Sequence, residues 1–166
     1  KKEALQDLPT ITSTQYAQQG ELGSKIRYDL ELERLARTDQ SFSLIVLNLP
    51  EEINFAFLDP NSNARITQVK FTRKIWKQRL DFEVAVPEKL PQDMVDASIS
   101  FHLLVVRKKH QKQIYDLKRK HRGSRIPAEE IARIDTNKVE LILIPSGTGK
   151  LDMIIGNSFK EVTQNS

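Results

Sequence analysis

The segment Lys25–Leu35, with the sequence KIRYDLELERL, decides the structural class of this protein. Apolar residues occupy every second position from Ile26 to Leu32, and charged residues occupy the positions between them. Successive side chains of a strand point to opposite faces, so this alternation predicts a half-buried strand of an antiparallel sheet. The chain is therefore expected to contain a sheet that has one face in water and the other in a core.

Eight further segments have the composition or the alternation of short strands. They are Pro9–Tyr16, Ser41–Leu49, Ile53–Leu58, Arg65–Thr72, Arg79–Val86, Ser98–Val106, Asn137–Ile144 and Leu151–Ile155. Ser41–Leu49 is apolar on both faces, which is typical of a central strand. Turn-forming residues separate the segments, and the stretch 18–24 (QQGELGS) is expected to be one of these turns. Strands that recur about every 8–12 residues predict an antiparallel sandwich or barrel.

The alternation stops after Val106, where residues 107–125 have the sequence RKKHQKQIYDLKRKHRGSR. One helical stripe recurs here at spacings of three and four residues: Val106, His110, Ile114, Leu117 and His121. Gly123 suits the end of this helix, and Pro127 suits the first turn of a second one over Ala128–Ile134. We therefore expect a basic helical hairpin, at about 107–134, inserted between two strands.

The net charge of +4, from 26 Lys and Arg against 22 Asp and Glu, is unevenly distributed. Residues 107–125 hold nine bases and one acid, a charge of +8, so the remainder carries −4. The nine bases are Arg107, Lys108, Lys109, Lys112, Lys118, Arg119, Lys120, Arg122 and Arg125. This asymmetry makes them candidates for contact with a polyanion: nucleic acid, anionic lipid or an acidic cell-wall polymer.

Two alternatives to a polyanion site stay open for this hairpin. It can pack its apolar stripe and leave its charges in water, or it can contact a protein. Tyr115 is the only aromatic residue of the segment. Binding of single-stranded nucleic acid usually adds several stacking rings to the basic residues, so nucleic acid is the weaker of the polyanion possibilities.

Residues typical of catalysis or metal binding are sparse. The absence of Cys excludes disulfides, thiolate metal sites and a cysteine nucleophile. The three His are His102, on the more polar face of its strand, and His110 and His121 in the hairpin, and none has metal-ligand spacing. The stretch 146–150 (SGTGK) lacks the flanking residues of a phosphate-binding loop and predicts a turn. We expect no catalytic residue, no cofactor, no metal ion and no small-molecule substrate.

Trp76 is the single tryptophan and lies among Arg73, Lys74 and Lys77. One interpretation is an exposed ring that stacks on a sugar. The other, which we favour, is a partly buried anchor with cationic neighbours. No apolar run in the chain approaches the about 20 residues that a membrane-spanning helix needs.

Four short motifs between Gly23 and Val106 occur in a recognisable order. They are a strand beginning at Gly23-Ser24, a strand ending in Leu49-Pro50, a short aromatic strand with Phe55 and Phe57, and a strand closing on Val86-Pro87. In this order the chain resembles the bacterial immunoglobulin-like domain family associated with alpha-galactosidase and with novel carbohydrate-binding modules. It departs from that family in lacking an Asn-Gly-rich first loop and in carrying the basic hairpin.

The resemblance implies an all-β, immunoglobulin-like antiparallel sandwich, and it carries no catalytic residue across. It further implies an accessory module of a larger bacterial protein that is extracytoplasmic: periplasmic, cell-surface or secreted. We expect residues 1–166 to form one such domain, with 107–134 as an insertion and 151–166 leading into a further domain. The expected function is non-catalytic contact with an unknown protein or glycan. The alternative is polyanion binding through the hairpin.

Overall fold

The computed structural model describes residues 8–34 and 39–147. The strands in this part are β1 (Thr10–Ser13), β2 (Ala17–Glu21), β3 (Lys25–Glu33), β4 (Gln40–Leu47), β5 (Asn54–Leu58), β6 (Arg65–Ile66), β7 (Gln68–Phe71), β8 (Lys77–Ala85), β9 (Ile99–Val106) and β10 (Thr136–Ser146). The helices are α1 (Gln111–Lys120) and α2 (Ala128–Ala132), with short 3₁₀ turns at Gln92–Met94 and Lys108–His110. The predicted strand Leu151–Ile155 and the whole segment 151–166 lie outside the described residues.

The strands form two five-stranded sheets that pack face to face. Sheet A has the order β1-β3-β8-β5-β6, and sheet B has the order β2-β10-β9-β4-β7. Neighbouring strands are antiparallel except β2 and β10, which run parallel with Ala17 opposite Ile142. The protein is an all-β, immunoglobulin-like sandwich with a helical insertion between β9 and β10, as predicted, and one edge pair departs from the antiparallel rule.

The alternation seen in the sequence sets the inner faces of the sheets. The predicted inward residues of β3, β8 and β9 are all buried between the sheets: Ile26, Tyr28, Leu30, Leu32, Leu80, Phe82, Val84, Ile99, Phe101, Leu103 and Val105. The Tyr28 hydroxyl donates a hydrogen bond of 2.6 Å to the carbonyl oxygen of Ile142. This bond joins sheet A to sheet B across the core, and burial raises the pKa of Tyr28 well above its ordinary value.

The chain changes sheets at both edges of the sandwich. The segment predicted as one strand, Arg65–Thr72, is two: β6 belongs to sheet A and β7 to sheet B. At the opposite edge the chain passes from β1 in sheet A to β2 in sheet B, and β2 occupies most of the stretch predicted as a turn. A Cβ atom on Gly20 would overlap the Ile26 side chain, so a glycine lets β2 approach the core this closely.

The last described strand is longer than the sequence predicts. β10 continues through Pro145 to Ser146, the first residue of the stretch 146–150 for which the sequence predicts a turn. Both residues pair with β2, opposite Gly20 and Glu21, so the parallel edge strand prolongs β10. Residues 148–150 of the predicted turn lie outside the described part of the chain.

A second apolar cluster lies on the outer face of sheet B, beneath residues 107–134, which we call the cap. Its buried members are Ile45, Leu47, Leu104, Val106, Ile114, Ile126, Ile131 and Ile134. Leu117 packs at its border. The cluster explains why the sequence of β4 is apolar on both faces: one face lines the core between the sheets, and the other lies under the cap.

Candidate functional site: the basic cap

The cap lies along the outer face of sheet B and is attached to β4 at both ends. Near the start of α1, the Gln111 side-chain amide donates to Ser43 Oγ at 2.5 Å. Beyond the end of α1, the Asn48 side chain accepts from the Ile126 amide at 2.8 Å and donates to the Ile126 carbonyl at 3.2 Å. Asn48 has a φ of 71°, a left-handed conformation that asparagine tolerates better than most residues. These contacts give α1 a defined position over the sheet.

Ion pairs close the hairpin between its two helices. His121 Nε2 lies 3.0 Å from Glu130 Oε2, and Lys120 Nζ lies 3.6 Å from Glu130 Oε1. The hydrogen bond from His121, helped by the charge of Lys120, holds the pKa of Glu130 below its ordinary value. At the base of the cap, His110 Nε2 lies 3.6 Å from Asp135 Oδ2. Both histidines of the cap therefore face carboxylates that belong to the cap or to its junction with β10.

Three of the nine bases predicted to form the site are held by neighbouring groups: Arg119, Lys120 and Arg125. Arg119 pairs with Asp116, one turn earlier on α1, and Lys120 pairs with Glu130 of α2. Arg125 donates to the Ser100 carbonyl at 2.8 Å and to Ser100 Oγ at 3.0 Å. Arg125 thus attaches the cap to β9 and is less available to a partner than the sequence suggests.

Most of the remaining predicted bases face water. Arg107 is half-buried where the cap leaves β9. Five are exposed and have no ion-pair partner within the described residues: Lys108, Lys109, Lys112, Lys118 and Arg122. The acids of α2 were not part of the charge count that singled out 107–125. Over residues 107–135, ten bases and four acids leave a net charge of +6.

The outward side of α1 forms a basic ridge around one exposed ring. Its members are Lys108, Lys112, Tyr115, Arg119 and Arg122, at successive spacings of four, three, four and three residues. Within α1 this spacing places Lys112, Tyr115 and Arg119 on the side of the helix away from the buried Ile114. Lys108 and Arg122 are exposed in the turns at the two ends of the helix. The Tyr115 side chain is 50% exposed at the centre of the ridge. The ridge can offer several cations and one stacking surface to a partner.

Trp76 lies outside the cap, and the prediction that it is a partly buried anchor is wrong. It is 51% exposed in the connection between β7 and β8, which corresponds to the alternative interpretation of an exposed ring. The Lys77 ammonium lies 5.0 Å from the ring centroid, a distance at which cation and ring attract each other.

His102 is buried, although the sequence places it on the more polar face of β9. It lies on the outer face of sheet B, in the register between Leu47 of β4 and Glu140 of β10, and is 9% exposed. Burial lowers the pKa of His102, while Glu140 opposes this shift. The face of β9 that carries His102 is polar only near Ser100. Farther along the strand the same face contributes to the apolar cluster beneath the cap.

Residues 8–34 and 39–147 hold no group of three or more His, Asp or Glu side chains placed to bind a metal ion. In the same part of the chain, neither helix is both long enough and apolar enough to span a bilayer.

No family model matches the chain, and no curated protein matches it. Solved structures with a similar arrangement include domains 4 and 5 of the S-layer protein SbsC, with a TM-score of 0.40 and 10% identity over 84% of this chain and 53% of that one. They also include the ASH/PapD-like domain 7 of human CEP192, with a TM-score of 0.37 and 12% identity over 81% of this chain and 82% of that one.

A third similar structure is the R347E mutant of the adhesin SrpA from Streptococcus sanguinis, with a TM-score of 0.40 and 13% identity over 87% of this chain. The chain spans about half of the SbsC structure and 62% of the SrpA structure. At such TM-scores these likenesses carry no argument about function. The fold class stands on the sheet order and registers of the protein itself.

Proposed function

We propose that this chain is a non-catalytic interaction module of a larger bacterial envelope or secreted protein, and that it mediates protein or glycan contact. The observation that carries the proposal is the basic ridge of α1, displayed outward by a cap whose opposite side is buried. A surface held by a packed cluster and by hydrogen bonds at both ends loses little conformational freedom on binding. The cap is therefore suited to present side chains to a partner.

The non-catalytic part of the proposal is supported by how the titratable groups are used. His121 and Lys120 close the hairpin on Glu130, and His110 faces Asp135. On sheet A, Arg27 lies 3.1 Å from both Asp81 and Glu83. Groups engaged in this way stabilise the fold, whereas a catalytic base has to be left within reach of a substrate.

The glycan form of this proposal is tested by sedimentation of the chain with insoluble peptidoglycan and with a neutral insoluble polysaccharide. We expect binding that persists at high salt, because ring stacking and hydrogen bonds are screened less than exposed ion pairs. Tyr115→Ala should weaken it about tenfold, within the range of stacking contributions, and Tyr16→Ala, equally exposed on another element, should not. Absence of sedimentation with both materials at low salt would contradict the glycan form.

A second candidate function is polyanion binding through the ridge, and a specific observation favours it. Three members of the ridge (Lys108, Lys112 and Arg122) and the neighbouring Lys118 are exposed and have no acidic partner within the described residues. Binding through such charges releases counterions, so the affinity falls steeply as salt rises. Salt response therefore separates this candidate from the first.

The polyanion candidate is tested by filter binding to inorganic polyphosphate at several salt concentrations. Replacing all four of these residues by Ala should reduce the slope of log affinity against log salt by about 3. The matched control replaces four exposed bases outside the cap, Lys25, Arg65, Lys70 and Lys89, with the same change of net charge. Equal losses in both variants would show a response to net charge alone and would exclude the ridge as the site.

A further inference from the structure

The connection between β7 and β8 exposes two large apolar side chains side by side. Ile75 is 46% exposed and Trp76 is 51% exposed. Isolated exposed apolar residues are common, but an aliphatic chain next to an indole ring forms an apolar patch, here on a connection between the two sheets. The ridge of the cap does not include this patch, and the function proposed above makes no use of it.

The backbone beneath the patch is held from inside the protein. Arg34, which is 8% exposed, donates from Nη2 to the Arg73 carbonyl at 2.8 Å, and its amide donates to the Trp76 carbonyl at 2.9 Å. The Ile75 amide donates to the carbonyl and to the hydroxyl of Thr72, both at 3.2 Å. Hydrogen bonds thus hold several backbone groups of the loop, while Ile75 and Trp76 are exposed.

Cations surround the patch. Arg73 and Lys74 are exposed and have no acidic partner within the described residues. Lys77 lies over the indole ring and is paired with Glu31 at 3.3 Å. The registers that pair Gln40 with Phe71 and Ser43 with Val106 place the start of the cap at this same end of the sandwich. The exposed Lys109, which is not part of the ridge, therefore adds to the positive charge of this end.

The chemistry of the patch discriminates between possible partners. The neighbours of Trp76 in the sequence are Ile75 and Lys77, an aliphatic side chain and a cation, and Arg73 and Lys74 precede them. Tryptophan with lysine and arginine is typical of the boundary between lipid headgroups and acyl chains, and clustered bases favour anionic lipids.

We propose that Ile75 and Trp76 insert into the surface of an anionic lipid bilayer, with Arg73 and Lys74 against the headgroup phosphates. The contact is peripheral and reversible, because one loop buries far less apolar surface than a spanning helix. It does not depend on the ridge of the cap, which can bind or fail to bind a polyanion without affecting this loop.

The single tryptophan of the chain makes the test specific to this site, since the intrinsic indole fluorescence reports on Trp76 alone. The full chain is titrated with vesicles of phosphatidylcholine and with vesicles that also contain phosphatidylglycerol. We expect a blue shift of emission with the anionic vesicles only, and quenching when the acyl chains are brominated near the headgroups. This measurement uses the unaltered protein and needs no variant to fold.

Variants then show which side chains make the contact with the vesicle. Ile75→Ser, and separately the pair Arg73→Ala and Lys74→Ala, should each weaken vesicle partitioning at least tenfold, with circular dichroism matching the parent chain. Tyr115→Ser, an exposed ring on the cap, and the ridge variant Lys112→Ala with Arg122→Ala should leave the blue shift and the quenching unchanged.

Three results would overturn the proposal. Vesicle binding without quenching by brominated lipids would mean that another surface makes the contact. An equal blue shift with a soluble anionic polysaccharide in place of vesicles would identify a glycan as the occupant. Equal partitioning onto neutral and anionic vesicles would show that the cations do not contribute to the contact. Loss of polyphosphate binding by the ridge variant bears only on the second candidate function and leaves this proposal intact.

Discussion

The outer faces of the two sheets differ in composition and in what covers them. On sheet A, charged side chains pair across strands: Arg27 lies 3.1 Å from Asp81 and from Glu83, and Glu31 lies 3.3 Å from Lys77. On sheet B, four apolar residues of β4 and β9 face outward and are covered by the cap: Ile45, Leu47, Leu104 and Val106. The outer face of sheet A is covered by its own paired charged side chains, whereas the apolar outer face of sheet B is covered by the inserted cap.

The difference explains where the uncompensated charge of the protein lies. Opposite charges that pair across strands on sheet A leave little for a partner to neutralise. The cap has apolar residues on its inner side, so its charges are confined to the outer side of α1 and the adjoining turns. There the only acid of residues 107–125, Asp116, is already engaged by Arg119. A partner that carries negative charge would therefore meet unpaired cations on sheet B and paired ones on sheet A.

The largest expected effect comes from breaking the cover of sheet B. Ile114 is fully buried beneath the cap, so Ile114→Ala should lower the free energy of unfolding by about 2–5 kcal/mol. The matched control, Tyr115→Ala, removes a larger but half-exposed side chain from the next position and should cost clearly less. Urea unfolding measures both. Equal losses would mean that the cap is not packed on the sheet as described.

A smaller effect is expected from the buried histidine of sheet B. Burial holds the pKa of His102 below its ordinary value of 6.5, so in acid the unfolded chain binds a proton before the folded chain does. The free energy of unfolding should fall as pH drops below about 6.5, until the folded pKa is reached. His102→Gln should flatten this part of the profile, measured by urea unfolding at several pH values. An unchanged slope would assign the loss to other groups.

The smallest effect is expected on the outer face of sheet A. Thr14 Oγ1 donates to both carboxylate oxygens of Asp29, at 2.6 and 2.7 Å, and this hydrogen bond lowers the pKa of Asp29. The bond stabilises the fold above the ordinary pKa, and the contribution is lost as pH falls through the lowered value. Thr14→Val should raise the pKa of Asp29, observed by NMR titration, and Thr12→Val on the preceding strand β1 should not. Stability at neutral pH should change little, because the pair is exposed.

The long strands were predictable because burial alternates with the same period as the backbone. Ile26 to Leu32 on β3 and Leu80 to Val84 on β8 are buried at every second position, as their sequences indicate. The helical hairpin was predictable for the corresponding reason, since Ile114 and Leu117 repeat at helical spacing. In each case the apolar residues of one segment pack on one continuous apolar surface. The spacing of those residues can therefore be read directly from the sequence.

The short strands and the site were less predictable, because both depend on distant parts of the chain. Glu130 of α2 pairs with Lys120 and His121 at the end of α1. Asn48, which follows β4, is hydrogen-bonded to Ile126 of the cap. Sequence spacing carries no signal for such pairs. The exposure of Trp76 was predicted wrongly and the burial of His102 was not predicted, since elements far along the chain decide what covers each side chain.

The sequence by itself determined the all-β class, the inner faces of the long strands and a separate basic helical segment, because periodicity and charge are local properties. Only the tertiary structure decided which sheet each short edge strand joins. The chain passes from sheet A to sheet B within a few residues between β1 and β2, and again between β6 and β7. A strand of two to five residues has too few side chains to specify a partner, so hydrogen bonding to long neighbours settles its position. Long-range packing also places the apolar side of the cap on sheet B, so the charged side chains of the cap face outward.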